Sequence, residues 1–217
     1  MSEGVPFYSN TKNNTHCFQA ALRMILKYFL PKREYSWKQL DKISAKKKGL
    51  YTWPLAAMVW LVKNGIEVKN IEKFDYPIFI RVGGKYLIEI FGQEVGETQI
   101  RKSDIRQERH LAKMFVKTIK AENHIPNERE IKTLLSKGYL VMCNVNAFVL
   151  NNRSGYTGHF VVITGFGKNH FTLHDPGLPP LRNRKVSLGR FEKAWAYPNK
   201  RAKNIMAFRK EPYVTKS

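Results

Sequence analysis

The chain has 217 residues, 43% of them hydrophobic and 12% aromatic, which is enough to bury a core and too much for a disordered chain. No apolar run approaches the ~20 residues of a membrane helix, the opening MSEGVPFYSN lacks the regions of a signal peptide, and two cysteines make no disulfide framework, so a cytoplasmic location is expected. The net charge of +21 predicts non-specific, salt-sensitive attraction to polyanions, but the basic residues are spread along the chain without any nucleic-acid-binding motif, so the charge by itself names no function.

No internal repeat, low-complexity tract or Gly/Ser linker divides the sequence, and a single domain over 1–217 is expected. After a polar start, YSNTKNNTH, the residues Phe18, Ala21, Leu22, Ile25 and Phe29 recur at helical spacing. They predict a helix over 16–29, with Asn14 or Thr15 as N-cap and Pro31 as its stop. Leu55, Met58, Val59 and Val62 predict a second helix over 54–64, ended by Gly65. In DYPIFIRVGGKYLIEIFG, helical spacing favours a helix, although Gly83-Gly84 could instead turn a hairpin. Helical patterns follow over 105–121 and 128–137, so 74–123 reads as a mainly helical segment.

The pattern then changes. YLVMCNVNAFV, HFVVITGF, HFTLHD and NIMAFR are rich in Val, Ile and Phe, are bounded by turn residues, and read as strands. N-terminal helices packed on a C-terminal, mostly antiparallel sheet make an α+β fold.

The stretch GHFVVITGFGKNHFTLHDPG carries the first chemical signal. With Gly167-Lys168-Asn169 as the loop, Phe166 pairs with His170 and Val161 stands opposite Asp175. His159 is then a diagonal neighbour of Asp175 on the same sheet face, within reach of a carboxylate–imidazole hydrogen bond. An Asp holding one ring nitrogen leaves the other free to move protons. Of the two thiols, Cys143 lies mid-strand and reads as core. Cys17 lies in the first turn of a helix, where free N–H groups and the helix dipole favour thiolate. Cys17, His159 and Asp175 together have the layout of nucleophilic cysteine catalysis. His16, His110, His124, His170 and His174 are read as structural. No metal site is expected from His16, Cys17, His159 and Asp175, because no HExxH or CxxC spacing exists.

These residues resemble the C39-like peptidases, a family of papain-like cysteine proteases. VPFYSNTKNNTHCFQAALRMIL is similar to the family's opening strand, loop and cysteine-bearing helix, and IKTLLSKGYLVMCNVN to the helix and strand before its histidine. GHFVVITGFGKNHFTLHDPG is similar to its histidine-to-aspartate hairpin, and VSLGRFEKAW to a following helix. The resemblance implies a papain-like fold, no cofactor, a peptide or protein substrate, and amide hydrolysis through a thioester. Cys17 would be the nucleophile, His159 the acid and base, and Asp175 its orienting partner. The family's oxyanion-hole Gln, six residues before the Cys, is Thr11 here. Asn10, one residue further back, is the candidate amide, ahead of Gln19. The alternative is a catalytically degraded module that binds peptides or acidic partners without cleavage.

Overall fold

The protein is described by a computed structural model covering residues 4–210. In chain order the elements are α1 (Cys17–Phe29), α2 (Trp37–Ile43), α3 (Leu55–Lys63), β1 (Ile66–Glu72), α4 (Tyr76–Val82), α5 (Gly84–Phe91), α6 (Gln93–Lys102) and α7 (Ile105–Thr118). Then come α8 (Glu128–Ser136), β2 (Leu140–Asn146), α9 (Ala147–Leu150), β3 (Gly158–Phe166), β4 (His170–Asp175), β5 (Leu181–Ser187), α10 (Leu188–Trp195) and β6 (Asn204–Lys210). The strands form one sheet in the order β1-β6-β2-β3-β4-β5, every neighbouring pair antiparallel. The fold is α+β. Among the described residues no helix is long and apolar enough to cross a membrane.

Period-two alternation divides the sheet between two cores. Met142, Phe160, Val162, Met206 and Phe208 join the core that holds α1 and α3, while Val141, Cys143, Val161, Ile163 and Ile205 face the core that holds α8 and α10. Cys143 is fully buried there, and burial pushes its thiol far up. Helix α1 follows its predicted stripe. Phe18, Leu22, Ile25 and Leu26 are buried, and Phe18 meets Phe160 of β3 edge-to-face with ring centroids 4.8 Å apart. Each such fully buried side chain is worth about 1.5–3 kcal/mol of apolar transfer, so α1 is anchored along its length.

Several boundaries differ from expectation. The N-cap position of α1 is His16, one residue later than Thr15, and its side chain gives no cap hydrogen bond. The strand YLVMCNVNAFV stops at Asn146, whose side chain caps the short α9 by accepting Phe148 N–H at 3.0 Å. At Gly83-Gly84 the chain neither turns a hairpin nor continues one helix. Gly83, at φ 63, separates α4 from α5. The sheet is also not wholly C-terminal, because β1 enters between α3 and α4 and pairs with β6. β1 alternates only over Ile66, Glu67, Val68 and Lys69 before Asn70 breaks the pattern, and β5 does not alternate; both are charged edge strands. The residues before Asn10 run beside β4 without a ladder; His174 Nε2 donates to Val5 O at 3.1 Å.

Helices α5 and α6 approach closely at Gly96, where an added Cβ would lie 2.6 Å from Ile88 Cα and 2.8 Å from Ile88 N. Backbone cannot yield as a side-chain end can. Gly96→Ala is therefore expected to destabilise the fold by about 1–3 kcal/mol, read as a lowered urea midpoint. An unchanged midpoint would mean that the two helices part freely.

Candidate active site

Cys17 is the first residue of α1, and the loop before it is held from within. Asn10 Oδ1 accepts the N–H groups of Thr11 at 2.8 Å and His16 at 2.7 Å, and Asn10 Nδ2 donates to Asn14 Oδ1 at 2.8 Å. The Asn10 N–H donates to the carbonyl of Pro176 at 2.8 Å. That bond joins the loop before Cys17 to the turn after Asp175.

The β3–β4 hairpin reaches the expected pairing by an unexpected route. At the turn Phe166 pairs with Phe171 and Gly165 with Thr172, one residue off the predicted register. A β-bulge between Ile163 and Gly165 absorbs the offset, and Ile163 then pairs with Leu173 and Val162 with His174. Beyond the bulge the register is the predicted one, which puts His159 and Asp175 on a common side.

There they touch. His159 Nε2 donates to Asp175 Oδ1 at 2.7 Å, with His159 6% and Asp175 3% exposed. Asp175 Oδ1 also accepts Gly177 N–H at 2.9 Å. Its other oxygen accepts Arg184 Nη1 at 2.7 Å, while Arg184 Nη2 donates to Leu150 O at 3.0 Å. Burial would raise the Asp175 carboxyl, but these donors hold it down at about 2. Cys17 hydrogen-bonds to His159; since Nε2 is engaged with Asp175, the ring presents Nδ1 to the sulfur. Burial alone would push the thiol up. The hydrogen bond and charge of His159, with the N–H groups of Phe160 and Phe18, outweigh it and leave the thiol below its ordinary range. Burial likewise opposes the charged imidazole, yet Asp175 and the sulfur raise it to about 10. The arrangement favours a thiolate–imidazolium pair. Lys46 lies close enough for its charge and that of Cys17 to interact.

Three predicted residues are thus brought together: Cys17, His159 and Asp175. Asn10 is placed differently. It is buried behind the loop, and its side-chain oxygen and nitrogen are both engaged there, whereas Asn14, in the left-handed region at φ 56, lines the cavity that holds Cys17. Gln19 also lines that cavity, but its Nε2 donates to Ser44 Oγ at 2.9 Å and Thr52 Oγ1 at 3.1 Å. His16 faces Asp41, with Nε2 3.2 Å from Oδ1. Sequence reasoning missed Arg184 and Asn14. Arg184 is hidden among 38 basic residues and lies on a strand without apolar alternation. Asn14 carries a weak signal, since asparagine tolerates the left-handed conformation.

The site opens into a cavity of about 700 Å³ walled by Trp53, Phe91, Tyr156 and Leu178, among others, with the α1-facing side of the sheet as its floor. Among the described residues no group of three or more His, Cys, Asp or Glu is placed to hold a metal ion.

No protein-family model matches the sequence, and no curated protein matches it. Among solved structures, the fold is similar to the peptidase domain of Streptococcus ComA, a bi-functional ABC transporter involved in a quorum-sensing pathway. The TM-score is 0.50 at 15% identity, over 94% of this chain and 97% of that one. The likeness shows that the chain has the fold of a peptidase domain.

Proposed function

We propose that this protein is a cysteine peptidase or amide hydrolase in which Cys17 is the nucleophile, His159 the general acid and base, and Asp175 the residue that orients His159. The observation that carries this reading is the buried Asp175–His159 hydrogen bond with the half-buried Cys17 beside it, at the wall of a peptide-sized cavity. The peptidase-domain fold supports it. Thiolate attack on a substrate carbonyl forms the C–S bond and a tetrahedral oxyanion. His159 gives its Nδ1 proton to the leaving amine as the C–N bond breaks. His159 then takes a proton from water, which attacks the thioester, and cleavage of the C–S bond restores the thiolate. An amine in place of water would make the same intermediate a transferase product.

The oxyanion needs donors placed where its charge develops. The Cys17 N–H at the start of α1 supplies one. For the second we assign the side chain of Asn14. Its Oδ1 is held by Asn10, which leaves its Nδ2 hydrogens for the cavity. Asn10 enters the scheme as a positioning residue.

Two measurements test this reading. Iodoacetamide should label Cys17 rapidly at pH values well below ~8.5, the free-thiol value, because the thiol is shifted down and the imidazole stays protonated through neutrality. His159→Ala removes the stabilising cation, so labelling should retreat to alkaline pH, with buried Cys143 silent in both proteins. Equal labelling profiles would instead favour a degraded, peptide-binding module. In the second, Asn14→Ala should slow acylation by p-nitrophenyl acetate roughly 10²-fold, with a modest fall in melting temperature from the lost Asn10 contact and the left-handed backbone. Asn10→Ala should lower both. An Asn14→Ala rate like that of the wild type would remove Asn14 from the oxyanion hole.

A further inference from the structure

The cavity floor carries a carboxylate that this chemistry leaves unused. Glu72, the last residue of β1, lines the same cavity as Cys17. Its Oε1 accepts from Asn70 Nδ2 at 2.7 Å and from Tyr76 OH at 2.5 Å. Two neutral donors therefore fix the group, and Oε2 remains. Among the described residues no cation forms an ion pair with Glu72. Burial raises its pKa, and the two hydrogen bonds only partly oppose this. Asp175, on the same cavity wall, is by contrast saturated by His159, Gly177 and Arg184.

The register locates Glu72 relative to the nucleophile. Glu72 stands opposite Asn204 on β6. Asn204 exchanges hydrogen bonds with the Asn144 main chain on β2, at 2.8 and 3.2 Å. Asn144 stands opposite Phe160 on β3, next in sequence to His159. Three strand spacings separate Glu72 from the His159 strand, about 14 Å, or the span of roughly four extended residues. Phe74 and Phe91 line the cavity as well and offer apolar surface to an aliphatic stem. Lys102 and Arg153 belong to the lining too, but both are exposed.

We propose that Glu72, with Asn144 in the same row of the sheet and on the same cavity wall, forms a specificity subsite for a lysine or arginine side chain, two to four residues from the bond that Cys17 attacks. This deepens the peptidase reading and rests on it. A net charge of +21 repels cations from the molecule as a whole, so a preference for a basic residue must arise locally.

The test uses N-acetylated tetrapeptide vinyl sulfones with lysine, arginine, norleucine or glutamate at each position in turn. Acetylation removes the α-amine as a competing cation. Labelling of Cys17 is followed by mass spectrometry. At one position lysine and arginine should react at least ~10-fold faster than norleucine, as expected for a charge-assisted contact. Glu72→Gln, which keeps an Oε1 to accept from both Asn70 and Tyr76, should abolish that preference and leave the norleucine and iodoacetamide rates unchanged. Equal lysine and norleucine rates at every position in the wild type, or a preference that survives Glu72→Gln, would overturn the subsite. If iodoacetamide shows Cys17 to be an ordinary thiol, the peptidase reading fails separately. The lysine–norleucine comparison is then made by fluorescence anisotropy of C-terminally labelled peptides on Cys17→Ala, where equal affinities overturn the subsite and a tenfold lysine preference upholds it.

Discussion

One backbone hydrogen bond, from Asn10 N–H to Pro176 O, joins two parts of the chain that are far apart in sequence. On one side is the loop that leads into Cys17; on the other is the turn that follows Asp175. The α1 helix is fixed independently, by Phe18 on Phe160 and by a stripe of fully buried side chains. A helix packed along its length cannot slide to meet a partner. The sulfur therefore stays where the first turn of α1 puts it, and the imidazole and carboxylate must come to it. The hairpin does so only because its bulge corrects the register at Ile163. A one-residue slip would have moved His159 to the wrong face.

Electrostatics then decides whether that geometry has chemistry. Arg184, Asp175, His159 and Cys17 form a line of alternating charge once the proton moves from sulfur to imidazole. Burial opposes ionisation of Cys17, His159 and Asp175 alike, and the neighbours outweigh it each time. An ion pair taken out of water survives only with good geometry and additional hydrogen bonds. Asp175 has three donors, and the sulfur has the backbone N–H groups of Phe18 and Phe160 as well as His159. Such a line is exposed to failure at any link, because removing one member strands its neighbour as an unpaired buried charge.

The parts of this arrangement that follow local periodicity were readable in the sequence. The apolar stripe of α1 and the alternating strands β2, β3, β4 and β6 gave the α+β reading, and position in those elements separated Cys17 from Cys143. What depends on long-range packing was not readable. β5 carries charge where a half-buried strand would show alternation, and β1 alternates over only four residues, too short a run to mark the strand that ends at Glu72. A three-residue loop gives the observed register beyond the bulge although the turn itself is one residue off, and no composition cue marks the compensating bulge. Asn10 has the amide chemistry of an oxyanion donor, but its engagement with Asn14 depends on a loop conformation that includes a positive φ.

The helical segment between β1 and α8 supplies part of the cavity wall away from Cys17. It is tied to the cavity from several directions. Gln99 donates to Tyr156 OH at 2.7 Å, Trp53 Nε1 to Ser103 Oγ at 3.0 Å, Tyr51 N–H to Lys102 O at 2.6 Å, and Asn199 Nδ2 to Ile90 O at 2.8 Å. These bonds fasten α5 and α6 both to the residues after α2 and to those around β3 and β6. A loosely appended pair of helices would not need them. With Phe91 and Gln99 on its wall, the cavity extends well beyond the thiol, across the sheet to Glu72. The line from Cys17 to Asp175 rests on the α1 terminus, the β3–β4 hairpin and Arg184 of β5, whereas much of the cavity wall away from the thiol belongs to β1, α5 and α6. The cavity away from the thiol is thus built on different elements from those that hold Cys17, His159 and Asp175 together.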